Sequence, residues 1–234
     1  MEIRGESNGT TVTESTLQIP ASPRLVWRVA EVVEVKVETP RVKTLRLSVA
    51  GWPGHRAGQH VDIRLTAEDG YQAQRSYSIS SPPEAPLVDL TVETIEQGEV
   101  SPYLTEEVRI GDRFELRGPI GGFFVWTGAK PGPLVLIGGG SGIAPLMAIL
   151  RHRKIAGSTS PATLIYSSRS FDEIIFRDEL DHLAKDDSSL RVVHTLTRGA
   201  PSDWKGHVRR IDARMFDEAG ITAKVDAATF ICGP

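Results

Sequence analysis

From residue 134 onward, short apolar runs alternate with segments of helical period. "LVLI" (134–137) leads to "GIAPLMAILRHRKIAG" (142–157), "PATLIYSS" (161–168) to "DEIIFRDELDHLAKDD" (172–187), and "LRVVHTLTR" (190–198) to "DARMFDEAG" (212–220). A last run, "ATFICGP", closes the series at 228–234. Strands that are apolar throughout and joined by helices have one stable arrangement, a parallel sheet covered on both faces.

Residues 24–127 follow another rhythm. Short β-rich runs such as "LVWRVAEVVEVKVET", "VKTLRLSVA", "QHVDIRL", "RSYSIS", "LVDLTVETI" and "RFELRG" are separated by turn clusters such as "GWPGHRAG" and "PPEAP". That spacing predicts an all-β sandwich or barrel. "SPYLTEEV" (101–108) predicts one short helix, with Ser101 as N-cap and Pro102 at the first position. The change of rhythm falls at "KPGP" (130–133). The expected organisation is a mobile polar tail over 1–23, a β domain over 24–129 and an α/β domain over 130–234.

Net charge is −3, from 27 basic and 30 acidic residues, so nothing global points to nucleic acid or a membrane surface. Apolar runs as short as "LVLI" cannot span a bilayer. One cysteine, Cys232, makes no internal disulfide, Cys-rich metal site or iron–sulfur cluster of its own, and points to a reducing, cytoplasmic setting.

"LVLIGGGSGIAPLMAIL" joins a strand to a helix through glycines. Gly140, Gly142 and Pro145 form G-x-G-x-x-P around Ser141. Glycines let the main chain approach a phosphate, and a helix N-terminus offers free N–H groups. Ile143 excludes the nucleophile elbow G-x-S-x-G, and the absence of Gly-Lys-Ser/Thr excludes a Walker loop. A tight packing turn without ligand is the competing reading. At the end of the second parallel strand, Ser167, Ser168 and Arg169 stand where an acidic residue would read a ribose diol, which favours a 2′-phosphate and NADPH over NADH; a solvated turn after a strand is the competing reading. Asp172 and Glu173 lie slightly beyond.

"RSYSIS" (75–80) sets a cation, an aromatic ring and hydroxyls on one strand. Alternation puts Arg75 and Tyr77 on one face and Ser76 and Ser78 on the other. A half-exposed strand of mixed polarity and a seat for a flat, phosphorylated aromatic ligand are both open on these residues. His60 reads as a strand residue. The runs "RHRK" (151–154) and "RRIDAR" (209–214) read as solvated helix faces, or as docking points for an acidic redox partner.

Six motifs, "RSYS", "GEVSPYL", "GPIGGFF", "GGGSGIAP", "YSSR" and "ICGP", occur in this order on a β-then-α/β frame. Together they resemble the ferredoxin–NADP reductase superfamily across nearly all of 24–234, and within it the reductases that serve oxygenases. The resemblance implies an antiparallel Greek-key β-barrel flavin domain followed by a parallel-sheet nucleotide domain. It implies that Arg75 binds flavin phosphate, Tyr77 stacks on the ring and Ser78 bonds near flavin N5. The turn from Gly98 through Val100 to Ser101 is implied to meet the pyrophosphate, hence FAD rather than FMN. Cys232 and Gly233 are implied beside the nicotinamide and flavin, with Ser78 and Cys232 closest to the chemistry. The implied activity is hydride transfer from NAD(P)H to FAD, then electron transfer to a separate acceptor such as a ferredoxin or other iron–sulfur protein, an oxygenase or a small molecule. The alternative is a non-catalytic flavin- or nucleotide-binding subunit that regulates a larger redox complex. Relatives usually continue beyond the Cys-Gly pair through a helix and a strand, so the sequence, ending at Pro234, is expected to be a shortened or partial form.

Overall fold

The structure, a computed structural model, describes residues 25–129, 132–221 and 226–234. The tail expected over 1–23 and the expected boundary at Lys130 lie outside them. Six strands form the first sheet: β1 (Trp27–Thr39), β2 (Val42–Val49), β3 (His60–Thr66), β4 (Gln72–Ser78), β5 (Val88–Glu93) and β6 (Arg113–Ile120). All pairings are antiparallel, in the order β4-β3-β6-β1-β2-β5. The two edges meet just past β4, where Ile79 bridges Leu90 and Ser80 N–H donates to Asp89 O at 2.8 Å. The sheet is thus a closed barrel, and the spatial run β6-β3-β4-β5 is a Greek key. Leu45, Leu47, Val61, Ile63, Leu90 and Leu116 fill its interior, and Leu104 plugs one end from the turn that follows β5.

The second sheet is parallel, with order β10-β7-β8-β9, from β7 (Leu134–Gly139), β8 (Ala162–Ser170), β9 (Leu190–Gly199) and β10 (Ala228–Cys232). Helices α1 (Ile143–Ile155) and α2 (Arg177–Asp186) pack on one face with Leu136, Leu164 and Tyr166. On the other face α3 (Ala213–Glu218) brings Met215 against Ile165. Asp212 caps α3 by accepting from Met215 N–H. Among the described residues no helix is long and apolar enough to cross a membrane.

Three local expectations are corrected. The helix expected over 172–187 begins only at Arg177, because Ile174, Ile175 and Phe176 are all buried. Three consecutive apolar side chains cannot share one stripe of a helix, so the chain runs extended into the core and turns at Phe176, φ 57°. After Pro102, the short helix at 101–108 is wound as a single π-type turn, Tyr103–Glu107. Ser101 does not cap it; its hydroxyl accepts from Ile95 N–H at 3.1 Å and closes the preceding loop.

The run "RHRK" is not a solvated face. Arg151 pairs with both oxygens of Glu179 at 2.7 and 2.6 Å and donates to Ser80 O of the barrel at 2.7 Å. His152 Nδ1 lies 2.6 Å from Glu84, also in the barrel half. Arg153 is 2% exposed and bonds Asp187, Ser160 O and Ser189. Charge runs in a sequence do not reveal carboxylates that the fold delivers from elsewhere. "RRIDAR" also departs from a helix face: Arg209 bonds Asp212 and Glu218 ahead of α3.

Burying Arg153 is tolerable because Asp187 neutralises it. The Ser189 hydroxyl, then Arg153, hold the Asp187 pKa down to about 2. A folded-state value below the unfolded one adds stability that is complete above about pH 4 and lost as pH falls toward 2. Asp187→Ala should cost about 2–3 kcal/mol in urea unfolding at pH 7, below the full cost of a fully buried pair because Asp187 is partly exposed. Asp187→Asn should flatten the loss of stability between pH 4 and 2 that the parent shows.

Candidate functional site

The parallel sheet ends at a glycine turn. Gly138 and Gly139 close β7, Gly140–Gly142 forms a 3-10 turn, and α1 starts at Ile143. Gly140 has φ +51°, where L side chains are strained. Gly142 is needed for a different reason. A Cβ there would stand 2.3 Å from Cys232 O and 2.7 Å from Gly233 Cα. A Cβ on Gly233 would likewise meet Gly139 N at 3.0 Å. The turn and the Cys232–Gly233 segment therefore lie main chain on main chain. Pro145 is buried in the first turn of α1, where its missing N–H costs nothing. Ser141 is partly exposed.

These residues border a cleft of about 500 Å³. Gly138, Gly139, Gly140, Cys232 and Gly233 form one wall, the ends of β8 and β9 another, and Thr39, Arg41 and Glu93 of the barrel face them. Arg169 reaches Glu93 at 3.8 Å and Glu173 at 3.7 Å. Arg198 and Arg210 also line the cleft and have no carboxylate partner among the described residues. Ser168 lies in the wall, but its hydroxyl is buried and unpartnered among the described residues. Of the three residues expected at this strand end, strand alternation turns Ser167 rather than Ser168 outward. Burial pushes the Cys232 thiol pKa up, which keeps it neutral.

A second group lies on the barrel. Arg75 and Tyr77 share a face of β4, and Ser78 pairs with His60 of β3, so His60 is the strand residue expected. Burial pushes the Tyr77 pKa up to about 12, so the phenol is a neutral, half-covered plate. Arg75 donates to Glu99 at 3.1 Å, and Tyr71 OH donates to the other oxygen of Glu99 at 2.6 Å. Glu99 had not been singled out, although it stands between Gly98 and Val100. The turn there is tight: Gly98 N–H donates to Ile95 O at 2.7 Å, and a Cβ on Gly98 would sit 3.0 Å from Ser101 Oγ. The Val100 side chain is fully buried.

The donor set suits anionic ligands. The barrel group offers a guanidinium beside a half-buried aromatic plate. The cleft offers a glycine turn at a helix start and two arginines that have no carboxylate partner among the described residues.

Comparison with known proteins agrees with that chemistry. An oxidoreductase FAD-binding domain model matches residues 29–125, and an oxidoreductase NAD-binding domain model matches 136–234. NADH-cytochrome b5 reductase 1 of Aspergillus terreus is 36% identical over 185 residues, 76% of this chain. The match spans 62% of that relative's length. Ferredoxin–NADP reductase B of Sorangium cellulosum is 33% identical over 211 residues, 87% of this chain and 85% of that protein. Among solved structures, the ferredoxin reductase in carbazole 1,9a-dioxygenase superposes with a TM-score of 0.76 at 27% identity, over 92% of this chain and 63% of that one. The CS-b5R domains of human Ncb5or superpose with a TM-score of 0.79 at 23% identity, over 91% and 63%, a likeness of fold. With a barrel of the FAD-binding type, a parallel sheet of the NAD-binding type and a relative matched over most of its length, the chain belongs to the ferredoxin–NADP reductase superfamily.

Proposed function

We propose that the protein is a flavin-dependent oxidoreductase that draws reducing equivalents from a pyridine nucleotide and delivers them to a separate electron acceptor. The observation that supports this best is the cleft itself. Its walls are the C-terminal edge of the parallel sheet, with the glycine turn, and the end of barrel strand β5. A nucleotide held by one half and a flavin held by the other can meet only at such a junction. FAD, when bound, supplies two-electron uptake from a nicotinamide and release of single electrons.

The chain's own residues have binding and orienting tasks. Arg75 would neutralise a flavin phosphate in exchange for Glu99, and Tyr77 would cover one ring face. Ser78 would donate at the ring edge, and the Gly98–Val100–Ser101 turn would offer main-chain N–H groups. The Gly140–Ser141–Gly142 turn and the start of α1, with Pro145, would hold the nucleotide pyrophosphate. Cys232 and Gly233, packed on that turn, would fix where the nicotinamide lies. The acceptor is proposed to be another molecule, such as a haem or iron–sulfur protein. Relatives bear the names of cytochrome b5 and ferredoxin.

For the donor we favour NADPH, on altered grounds. Ser168 is buried and Arg169 is shared by two carboxylates, so neither makes a strong 2′-phosphate contact alone. Arg198 and Arg210, without a carboxylate partner among the described residues, add two cations to the same cleft. Glu173 is the group that would instead read a bare ribose.

The purified protein, loaded with FAD, should bleach on anaerobic addition of NADPH; a flavin that stays oxidised with both NADPH and NADH would overturn the reading. Arg75→Ala should weaken FAD binding by about 1.5–3 kcal/mol, the range for a hydrogen bond to a charged group, in equilibrium dialysis. Arg198→Ala should shrink the ratio of kcat/KM for NADPH over NADH, whereas a parent enzyme that prefers NADH would assign ribose reading to Glu173.

A further inference from the structure

Tyr166 lies on β8 with its ring fully buried under the glycine turn. Its hydroxyl donates to Gly140 O at 3.1 Å and accepts from Ile175 N–H at 3.3 Å. Phenylalanine would fill the same volume but could make neither these bonds nor the contact with the Ser168 side chain. Burial pushes its pKa up, and it remains a neutral donor at any working pH. The Gly140 carbonyl also accepts from Ile143 N–H at the start of α1. The Tyr166 hydroxyl from the core and the Ile143 N–H of the helix start thus both bond one carbonyl at a residue with φ +51°.

That carbonyl belongs to the peptide that joins Gly140 to Ser141. In a planar trans peptide the C=O and the following N–H point in opposite directions. With Gly140 O turned inward to Tyr166, the Ser141 N–H must point out of the core. A glycine at 140 has little intrinsic preference for this orientation, since it visits many backbone states. We infer that Tyr166 is a positioning residue for the nucleotide: its hydroxyl locks the Gly140–Ser141 peptide so that the Ser141 N–H faces the pyrophosphate. The inference rests on the functional reading above.

The test uses the FAD-loaded protein and two hydride donors. NADPH has a pyrophosphate; 1-benzyl-1,4-dihydronicotinamide has no phosphate. For Tyr166→Phe the KM for NADPH should rise about fivefold while kcat changes by less than about twofold, the signature of one lost binding contact. The kcat/KM for the phosphate-free donor should match that of the parent. An unchanged KM for NADPH, or an equal loss with both donors, overturns the inference. Should Tyr166→Phe fail to fold, Tyr166→Met, also apolar and without a hydroxyl, is put through the same donor comparison. A parent protein that oxidises neither NADPH nor NADH overturns the functional reading and this inference together. A parent that oxidises NADPH beside an unaffected variant overturns the inference alone.

Discussion

The close packing of the Gly139–Gly142 turn on Cys232 and Gly233 is the constraint from which the candidate site follows. Two main-chain segments from opposite ends of the α/β half touch with no side chain between them. Any Cβ at 142 would push β10 away from β7 or displace the start of α1. The turn's conformation and the position of the Cys232 thiol are therefore one variable. If, as proposed, the turn holds a pyrophosphate and the Cys232–Gly233 segment borders the nicotinamide, their contact would keep the two ends of an extended ligand in register.

The same contact explains how far the motif could be read from sequence. "GGGSGIAP" announced a tight glycine turn between a strand and a helix, and the alternation of runs announced the parallel sheet. The reason for each glycine was not legible. Gly140 answers to backbone conformation and Gly142 to Cys232, ninety residues later in the chain. Ser168 shows the same limit. Its place at a strand end was evident, but one step of alternation decides whether a hydroxyl meets a ligand or the core, and "YSSR" offers two serines for one position.

Charged residues were read least well. Arg151, His152 and Arg153 look alike in sequence as one basic run. They fold into three separate roles, a tie to the barrel, a contact with Glu84 and a buried cation held by Asp187. Glu99 and Glu93 passed unnoticed because a carboxylate near a phosphate site runs against simple charge complementarity. Their pairing with Arg75 and Arg169 gives those arginines a partner of their own. Each guanidinium is then held in place at the cost of competition with an incoming phosphate.

Helix α1 is fastened at both ends. Its first turn carries the glycine loop, and Arg151, two turns on, is bonded to Ser80 of the barrel and to Glu179 of α2. Eight residues of helix separate Ile143 from Arg151, a lever of about 12 Å. If the halves swing about the Arg151 end, a rotation of about 10° carries the loop through about 2 Å, by the same helix geometry. In that case the spacing between whatever the loop holds and whatever the barrel holds would follow an angle at a guanidinium two helical turns from the loop. For a reaction whose rate depends on near-contact distance, such a joint would act as an adjustment screw of the site.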